Sequence, residues 1–239
     1  MPSLQRNSSG VLIQDNGVNS LVDFGYGNLR QLLNLGITYH EIDRIFFTHN
    51  HPDHICDLIP FLFGSRYQLD ARIKDLEIIA GPGFQDFFDK LMLAFKHWLK
   101  PTEYKLNILE IDEGIRTFEK FKVQTGKVKH IAMSRGYRFT NDQGKSVAVS
   151  GDTDYCEGMI ELGRDVDLMI LECAWPDDEK TDGHLGPTLA GKLAMEANCK
   201  KLCLTHFYPP CDLENIRNTV QKNYKGELLL ARDLMQFDL

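Results

Sequence analysis

The alternation of apolar and polar positions divides the chain into short strands and amphipathic helices. Gly10-Val11-Leu12-Ile13-Gln14 and Asn19-Ser20-Leu21-Val22-Asp23, joined through Asp15-Asn16-Gly17, predict a hairpin with a turn dipeptide at its tip. A helix is expected from Asn28, with Leu29, Leu32 and Leu33 on one face. Ile42-Asp43-Arg44-Ile45-Phe46-Phe47 is apolar, β-branched and aromatic, the mark of a buried strand. Residues 57–67 carry Leu58, Ile59, Phe61, Leu62 and Phe63 and predict a largely buried helix. Leu76-Glu77-Ile78-Ile79-Ala80 reads as a strand and Gly81-Pro82-Gly83 as a turn. A second helix is expected over 84–99, with Phe84, Phe87, Phe88, Leu91, Met92, Phe95 and Leu99. Its apolar face is broad. Core packing is the simpler account; the alternative is a partly exposed face used for substrate access or homodimer contact.

Beyond residue 104 the pattern shortens. Strands are expected at Leu106-Asn107-Ile108-Leu109-Glu110-Ile111, Phe121-Lys122-Val123-Gln124, Gly136-Tyr137-Arg138-Phe139 and Val147-Ala148-Val149. Further strands are expected at Leu168-Met169-Ile170-Leu171-Glu172, Leu202-Cys203-Leu204-Thr205 and Glu227-Leu228-Leu229-Leu230. Gly183-His184-Leu185-Gly186-Pro187-Thr188 opens a helix with Leu189, Leu193 and Ala197 inward. Strands alternating with helices define an α/β protein. There is no internal repeat and no low-complexity linker, and 239 residues suffice for one domain over 1–239.

Composition narrows the function. A net charge of −7 argues against a general nucleic-acid binder, which is normally basic. Lys120, Lys122, Lys127 and Lys129 form a local basic group that a solvated strand face explains. No run of about 18 apolar residues is present, so no membrane span is implied. The opening residues Met1-Pro2-Ser3-Leu4-Gln5-Arg6-Asn7 lack the apolar core of a signal peptide. Cys56, Cys156, Cys173, Cys199, Cys203 and Cys211 show no Cys-x-x-Cys spacing and read as reduced thiols of a cytoplasmic protein.

The chemistry concentrates in Thr48-His49-Asn50-His51-Pro52-Asp53-His54, directly after the predicted strand ending at Phe47. A single histidine is usually structural. Three histidines and an aspartate within six residues, on a loop held by Pro52, can converge on one or two cations instead. Imidazole and carboxylate donors suit zinc and related divalent metals.

This run resembles the signature of the metallo-β-lactamase superfamily, and the distant motifs narrow the resemblance to its ribonuclease Z-like branch. Val128-Lys129-His130 followed by Gly136-Tyr137-Arg138-Phe139 is similar to that branch's third-ligand segment. Ser150-Gly151-Asp152-Thr153-Asp154 and Leu202-Cys203-Leu204-Thr205-His206 end strands with further ligands. The resemblance implies a four-layer αβ/βα sandwich with the metals at the edge between its sheets. In that family a first strand and a glycine-rich turn precede the segment matching 2–10, and the chain reads as starting after them.

Residue by residue, the resemblance puts His49, His51 and His130 on one metal and Asp53, His54 and His206 on the other, with Asp152 bridging. Two divalent ions about 3.5–4 Å apart can share a hydroxide of lowered pKa that attacks a phosphoryl group in line. Zn2+ is the expected metal, with Mn2+ or Fe2+ as alternatives. The branch also has a histidine at the position of His184 and a glutamate at that of Glu172; with Asp53 these are the candidate catalytic residues. His184, oriented by Glu172, would protonate a leaving alkoxide; the competing account makes both residues holders of ligand geometry. Ribonuclease Z enzymes carry a protruding tRNA-gripping arm after the segment matching Gly136-Phe139. Here only Thr140-Asn141-Asp142-Gln143-Gly144-Lys145 intervenes, a plain hairpin turn. The expected function is therefore a dinuclear phosphodiesterase acting on a small phosphodiester or related ester. The alternatives are tRNA 3′ processing, or thioesterase or lactonase chemistry on the same fold.

Overall fold

The computed structural model describes residues 5–239 except 68 and 120. Residues 1–4 and Lys120 of the basic group therefore lie outside the described residues. The chain divides into two compact units, Met1–Ile111 and Asp112–Leu239.

In the first unit, β1 (Val11–Asp15), β2 (Val18–Val22), β3 (Arg44–Phe47), β4 (Leu76–Ala80) and β5 (Leu106–Glu110) form one sheet in that order. The first two are an antiparallel hairpin whose tip, Asn16 and Gly17, has φ of 48° and 80°. That is the mirror-image turn whose twist suits paired strands. Strands β2 to β5 run parallel. Ile45, Phe46 and Phe47 are all 0% exposed, so β3 is covered on both faces and reads as a continuous apolar run.

Around the sheet lie α1 (Asn28–Asn34), α2 (Pro52–Ile55), α3 (Leu58–Ser65) and α4 (Phe84–Phe95). Three expectations need correction here. Helix α1 is only two turns long and buries Leu32 while Leu33 points outward. The second half of the histidine loop is not loop: His51 caps α2 and Pro52 takes its first position, where a missing N–H costs nothing. Finally, α4 stops at Phe95. Lys96 adopts φ 55°, and a 3-10 turn over Lys96–Leu99 follows, which buries Leu99. Phe84 and Phe88 are buried on α4, but Leu93, Phe95 and Trp98 are exposed, so core packing accounts for only part of this apolar face.

Residues 23–25 run tightly against the histidine loop. Phe24 N–H donates to the His54 carbonyl at 2.6 Å, and Asp57 N–H donates to the Phe24 carbonyl at 3.0 Å. A Cβ at Gly25 would stand 1.9 Å from the Asp53 carbonyl oxygen. Only glycine allows that approach.

In the second unit, β6 (Gly114–Thr117), β7 (Phe121–Lys127), β8 (Arg135–Asn141), β9 (Ser146–Val149), β10 (Leu168–Glu172), β11 (Lys201–Thr205) and β12 (Glu227–Leu230) form a sheet ordered β12-β11-β10-β9-β8-β7-β6. Strands β6 to β9 are an antiparallel meander, and β9 to β12 are parallel. Strand β8 turns into β9 with Thr140 opposite Ser146, so residues 141–145 are a tight hairpin. Helices α5 (Glu157–Leu162), α6 (Pro187–Ala197) and α7 (Leu213–Asn223) bury Met159, Leu193, Ala194, Ile216 and Val220 with Met169, Leu171, Leu202 and Leu204. The carboxyl ends of β9, β10 and β11 deliver Asp152, Glu172 and His206 to one rim, the edge of an open parallel sheet where ligands bind.

The basic group is partly neutralised. Lys127 pairs with Asp112 at 3.2 Å and Glu113 at 3.1 Å, and Lys129 pairs with Asp154 at 3.4 Å. Among the described residues no helix is long and apolar enough to cross a membrane.

All six cysteines are free thiols, and Cys173, Cys199 and Cys203 are buried. Burial pushes the Cys199 thiol up to about 11 and that of Cys203 up to about 12, and it raises Cys173 as well. Because the thiolate is the reacting form, these three are protected twice near pH 8. A short iodoacetamide pulse at that pH should add at most three labels to the folded protein, at Cys56, Cys156 and Cys211, and six in urea. Native labelling of Cys199 or Cys203 at the unfolded rate would refute this packing.

Candidate metal centre

The first unit gathers four donors around a buried carboxylate. Asp23 follows β2 in the left-handed region (φ 62°) and is 1% exposed. It accepts from Thr48 N–H at 2.8 Å, from the Thr48 hydroxyl at 2.9 Å and from His54 Nδ1–H at 2.7 Å. With its proton committed to Asp23, Thr48 Oγ1 accepts from His49 Nδ1–H at 3.1 Å. Both imidazoles are therefore held as the Nδ1–H tautomer, which puts the lone pair on Nε2. His49 and His54 are fully buried with rings 4.1 Å apart, and the His49 and His51 rings are 4.6 Å apart. Asp53, half-buried at the start of α2, places Oδ2 3.8 Å from His54 Nε2.

The second unit repeats the device. His130 Nδ1–H donates to the Gly183 carbonyl at 2.9 Å, and His184 Nδ1–H donates to Glu172 Oε1 at 2.9 Å. Burial pushes the Glu172 carboxyl above its ordinary value, while the His184 bond pulls it down. Its two oxygens also accept three backbone donors: Thr153 N–H at 2.9 Å, Ala174 N–H at 3.0 Å and Leu185 N–H at 3.2 Å. Glu172 is thus a fixed post to which the β9–α5 and β10–α6 loops are tied. Asp152, 2% exposed, turns Oδ1 to His206 Nε2 at 3.2 Å and Oδ2 to His130 Nε2 at 3.9 Å. His206 leaves β11 with φ 63°. Like that of Asp23, this backbone costs of order 1 kcal/mol and occurs where geometry matters more than ease.

The donor set fits a divalent metal. Asp152, His184 and His206 offer ligand atoms within 4.8 Å of one another. Separations of 3.2–3.9 Å between Asp152 oxygens and two imidazole nitrogens match ligand edges around an ion with bonds of about 2.0–2.2 Å. Metal-binding histidines commonly donate their other ring N–H to a carboxylate or carbonyl, as His54 and His130 do.

Each predicted site residue lies in one of these two groups: His49, His51, Asp53 and His54 in the first, and His130, Asp152, Glu172, His184 and His206 in the second. Sequence reasoning missed Asp23, Thr48 and Asp154. Asp154 accepts from Lys180 Nζ at 2.9 Å and from Gly183 N–H at 3.4 Å, steadying the carbonyl that orients His130. The one local signal for Asp23 is an acid that ends an apolar strand just before a buried Phe-Gly step.

The sequence profile of the family described as "Beta-lactamase superfamily domain" matches residues 18–207. The chain belongs to the metallo-β-lactamase superfamily and has its fold, two mixed sheets with flanking helices. It is similar to the ribonuclease Z of Streptomyces coelicolor, with 27% identity over 283 aligned positions covering 98% of this chain and 92% of the relative. Among solved structures it resembles the metallo-β-lactamase fold protein YhfI from Bacillus subtilis (TM-score 0.85, 25% identity, 97% and 92% of the two chains). It also resembles the short form of human tRNase Z (TM-score 0.79, 25% identity, 99% and 94% covered). Membership and the His/Asp groups together make it a ribonuclease Z-like, metal-dependent hydrolase of that fold.

Asp23→Ala would leave the Thr48 and His54 donors without their buried acceptor. A cost of about 3–5 kcal/mol in stability is expected, with metal affinity falling roughly 10–100-fold. Thermal melting and a chelator-competition titration check both. Unchanged metal affinity would show that Asp23 does not orient a ligand.

Proposed function

We propose that the protein is a dinuclear phosphodiesterase that cleaves a small phosphodiester. His49, His51 and His130 would hold one ion and Asp53, His54 and His206 the other, with Asp152 as the bridging ligand. Zinc is the expected metal because five of the seven donors are imidazoles, with Mn2+ or Fe2+ able to use the same set. The observation that carries the reading is the buried Asp152, whose two oxygens face two different histidines beside a Glu172-bound His184.

When bound, the ions supply Lewis acidity that activates water near neutral pH and offsets charge on a phosphoryl oxygen. The protein's own residues do the rest. Glu172 holds His184 through Nδ1 and aims Nε2 outward as the proton donor for a departing alkoxide. Asp23, Thr48 and the Gly183 carbonyl keep the ligand imidazoles in one tautomer, so no reorganisation is needed as the reaction proceeds.

The names of the relatives favour a second reading, tRNA 3′ processing. The hairpin at 141–145, where the resemblance implies a tRNA-gripping arm, supports the smaller substrate. A thioester releases a thiolate that departs without a proton donor, so the Glu172–His184 pair favours an oxygen leaving group over thioesterase chemistry, whereas lactone opening also releases an alkoxide.

A substrate panel with two variants tests the proposal. The wild-type protein should cleave an aryl phosphodiester and trim precursor tRNA poorly. Asp152→Ala should lose metal and activity together. His184→Ala should keep its metal and slow turnover roughly 10²–10⁴-fold on alkyl esters, with a smaller loss on a nitrophenyl ester, whose phenolate leaves unprotonated. Efficient, site-selective trimming of precursor tRNA would overturn the substrate assignment. Equal losses on both ester types, or metal loss from His184→Ala, would overturn the proton-donor role.

A further inference from the structure

The Tyr208 ring lies beside His184 and His206 in the second unit, and the Trp175 ring packs against Tyr208. Trp175 lies three residues past Glu172, and Tyr208 lies two past His206. The Tyr208 ring centre is 5.2 Å from that of His206 and 5.9 Å from that of His184, and Trp175 meets Tyr208 edge-on at 5.0 Å and 85°. Backbone bonds lock both loops. Trp175 N–H donates to the Leu185 carbonyl at 3.3 Å and Tyr208 N–H to the Ala174 carbonyl at 3.1 Å. The Cys211 thiol donates to that same Ala174 carbonyl at 3.1 Å. Phe207, between His206 and Tyr208, packs against the apolar core, and Trp175 and Tyr208 are partly open to solvent.

We propose that Trp175 and Tyr208 form a stacking subsite for the departing group, so that the natural substrate is a phosphodiester whose leaving alcohol is a nucleoside. This rests on the phosphodiesterase reading. Proton donation by His184 assists a poor leaving group such as a sugar alkoxide and does little for a phenolate. A platform 5–6 Å from the His184 and His206 rings therefore suits an alcohol that carries its flat ring one sugar away. Every nucleobase offers such a face. In the reaction one P–O bond forms to water and the P–O bond to the nucleoside breaks. The departing oxygen takes the His184 proton, and the proton lost by water passes to solvent, from which His184 is recharged.

The methyl ester of adenosine 5′-monophosphate tests this internally, because it can release either adenosine or methanol. The product ratio does not depend on enzyme amount or metal loading. The wild-type protein should release mainly adenosine. Tyr208→Leu and Trp175→Leu should shift the ratio toward methanol by roughly 5–150-fold, the factor that base–aromatic stacking supplies, while Tyr208→Phe keeps the wild-type ratio. An unchanged ratio in both leucine variants, or methanol as the main wild-type product, would overturn the subsite.

If the wild-type protein cleaves no phosphodiester at all, the functional reading has failed, and a binding measurement decides the subsite alone. In the metal-loaded Trp98→Phe protein, adenosine 5′-monophosphate should quench Trp175 fluorescence saturably, and Tyr208→Leu should weaken that binding by the same factor. Absence of quenching, or quenching unaffected by Tyr208→Leu, would rule it out.

Discussion

The site depends on a buried carboxylate at the end of a sheet strand accepting Nδ1–H from a histidine beyond it. It occurs twice: Asp23 with His54 at 2.7 Å, and Glu172 with His184 at 2.9 Å. A hydrogen bond to a charged partner contributes about 1.5–3 kcal/mol, and leaving such a group buried without its partner costs at least as much. Neither carboxylate serves a histidine alone. Asp23 also binds the Thr48 backbone and hydroxyl, and Glu172 also binds Thr153, Ala174 and Leu185. Each pair therefore ties the chemistry to the fold: altering the carboxylate loosens loops as well as a ring.

Strand ends make this possible because the sheets are rigid where loops are not. Strands β9, β10 and β11 are hydrogen-bonded neighbours, so residues distant in sequence arrive on one rim with little freedom. The loops beyond them are fixed by further contacts. Asp154 holds the Gly183 amide, and Cys173 N–H donates to the Thr205 carbonyl at 2.9 Å. A centre that binds charged ions gains from this fixity, since preorganised dipoles need not reorient during the reaction.

Some of the fold is plain in the sequence. Leu76–Ala80 and Leu168–Glu172 have the expected bounds because a parallel strand buried on both faces reads as an unbroken apolar run. Helix α7 does not show itself in the same way: it buries only Ile216 and Val220, and its clearest marker is the Asp212 cap accepting from Glu214 and Asn215 N–H. Helix α5 is six residues long with a glycine inside, too short for a period to emerge. The long helix over 84–99 is misread because the apolar spacing continues past Lys96, where the backbone turns away. The histidine-rich run announces itself by density, and the remaining donors by their place at the ends of apolar strands. Asp23 also ends an apolar strand, but nothing local says what it binds, and Tyr208 and Trp175 carry no such mark. Asp23 acquires its role from Thr48 and His54, 25 and 31 residues further on, and the two rings acquire theirs only when β10 and β11 are side by side.

The central claim is that the His/Asp donors hold two divalent ions per chain. Elemental analysis of the purified protein, before and after supplementation with zinc, addresses it most directly. The account predicts close to two divalent ions per chain, retained through gel filtration. At most one tightly held ion per chain after supplementation would contradict it.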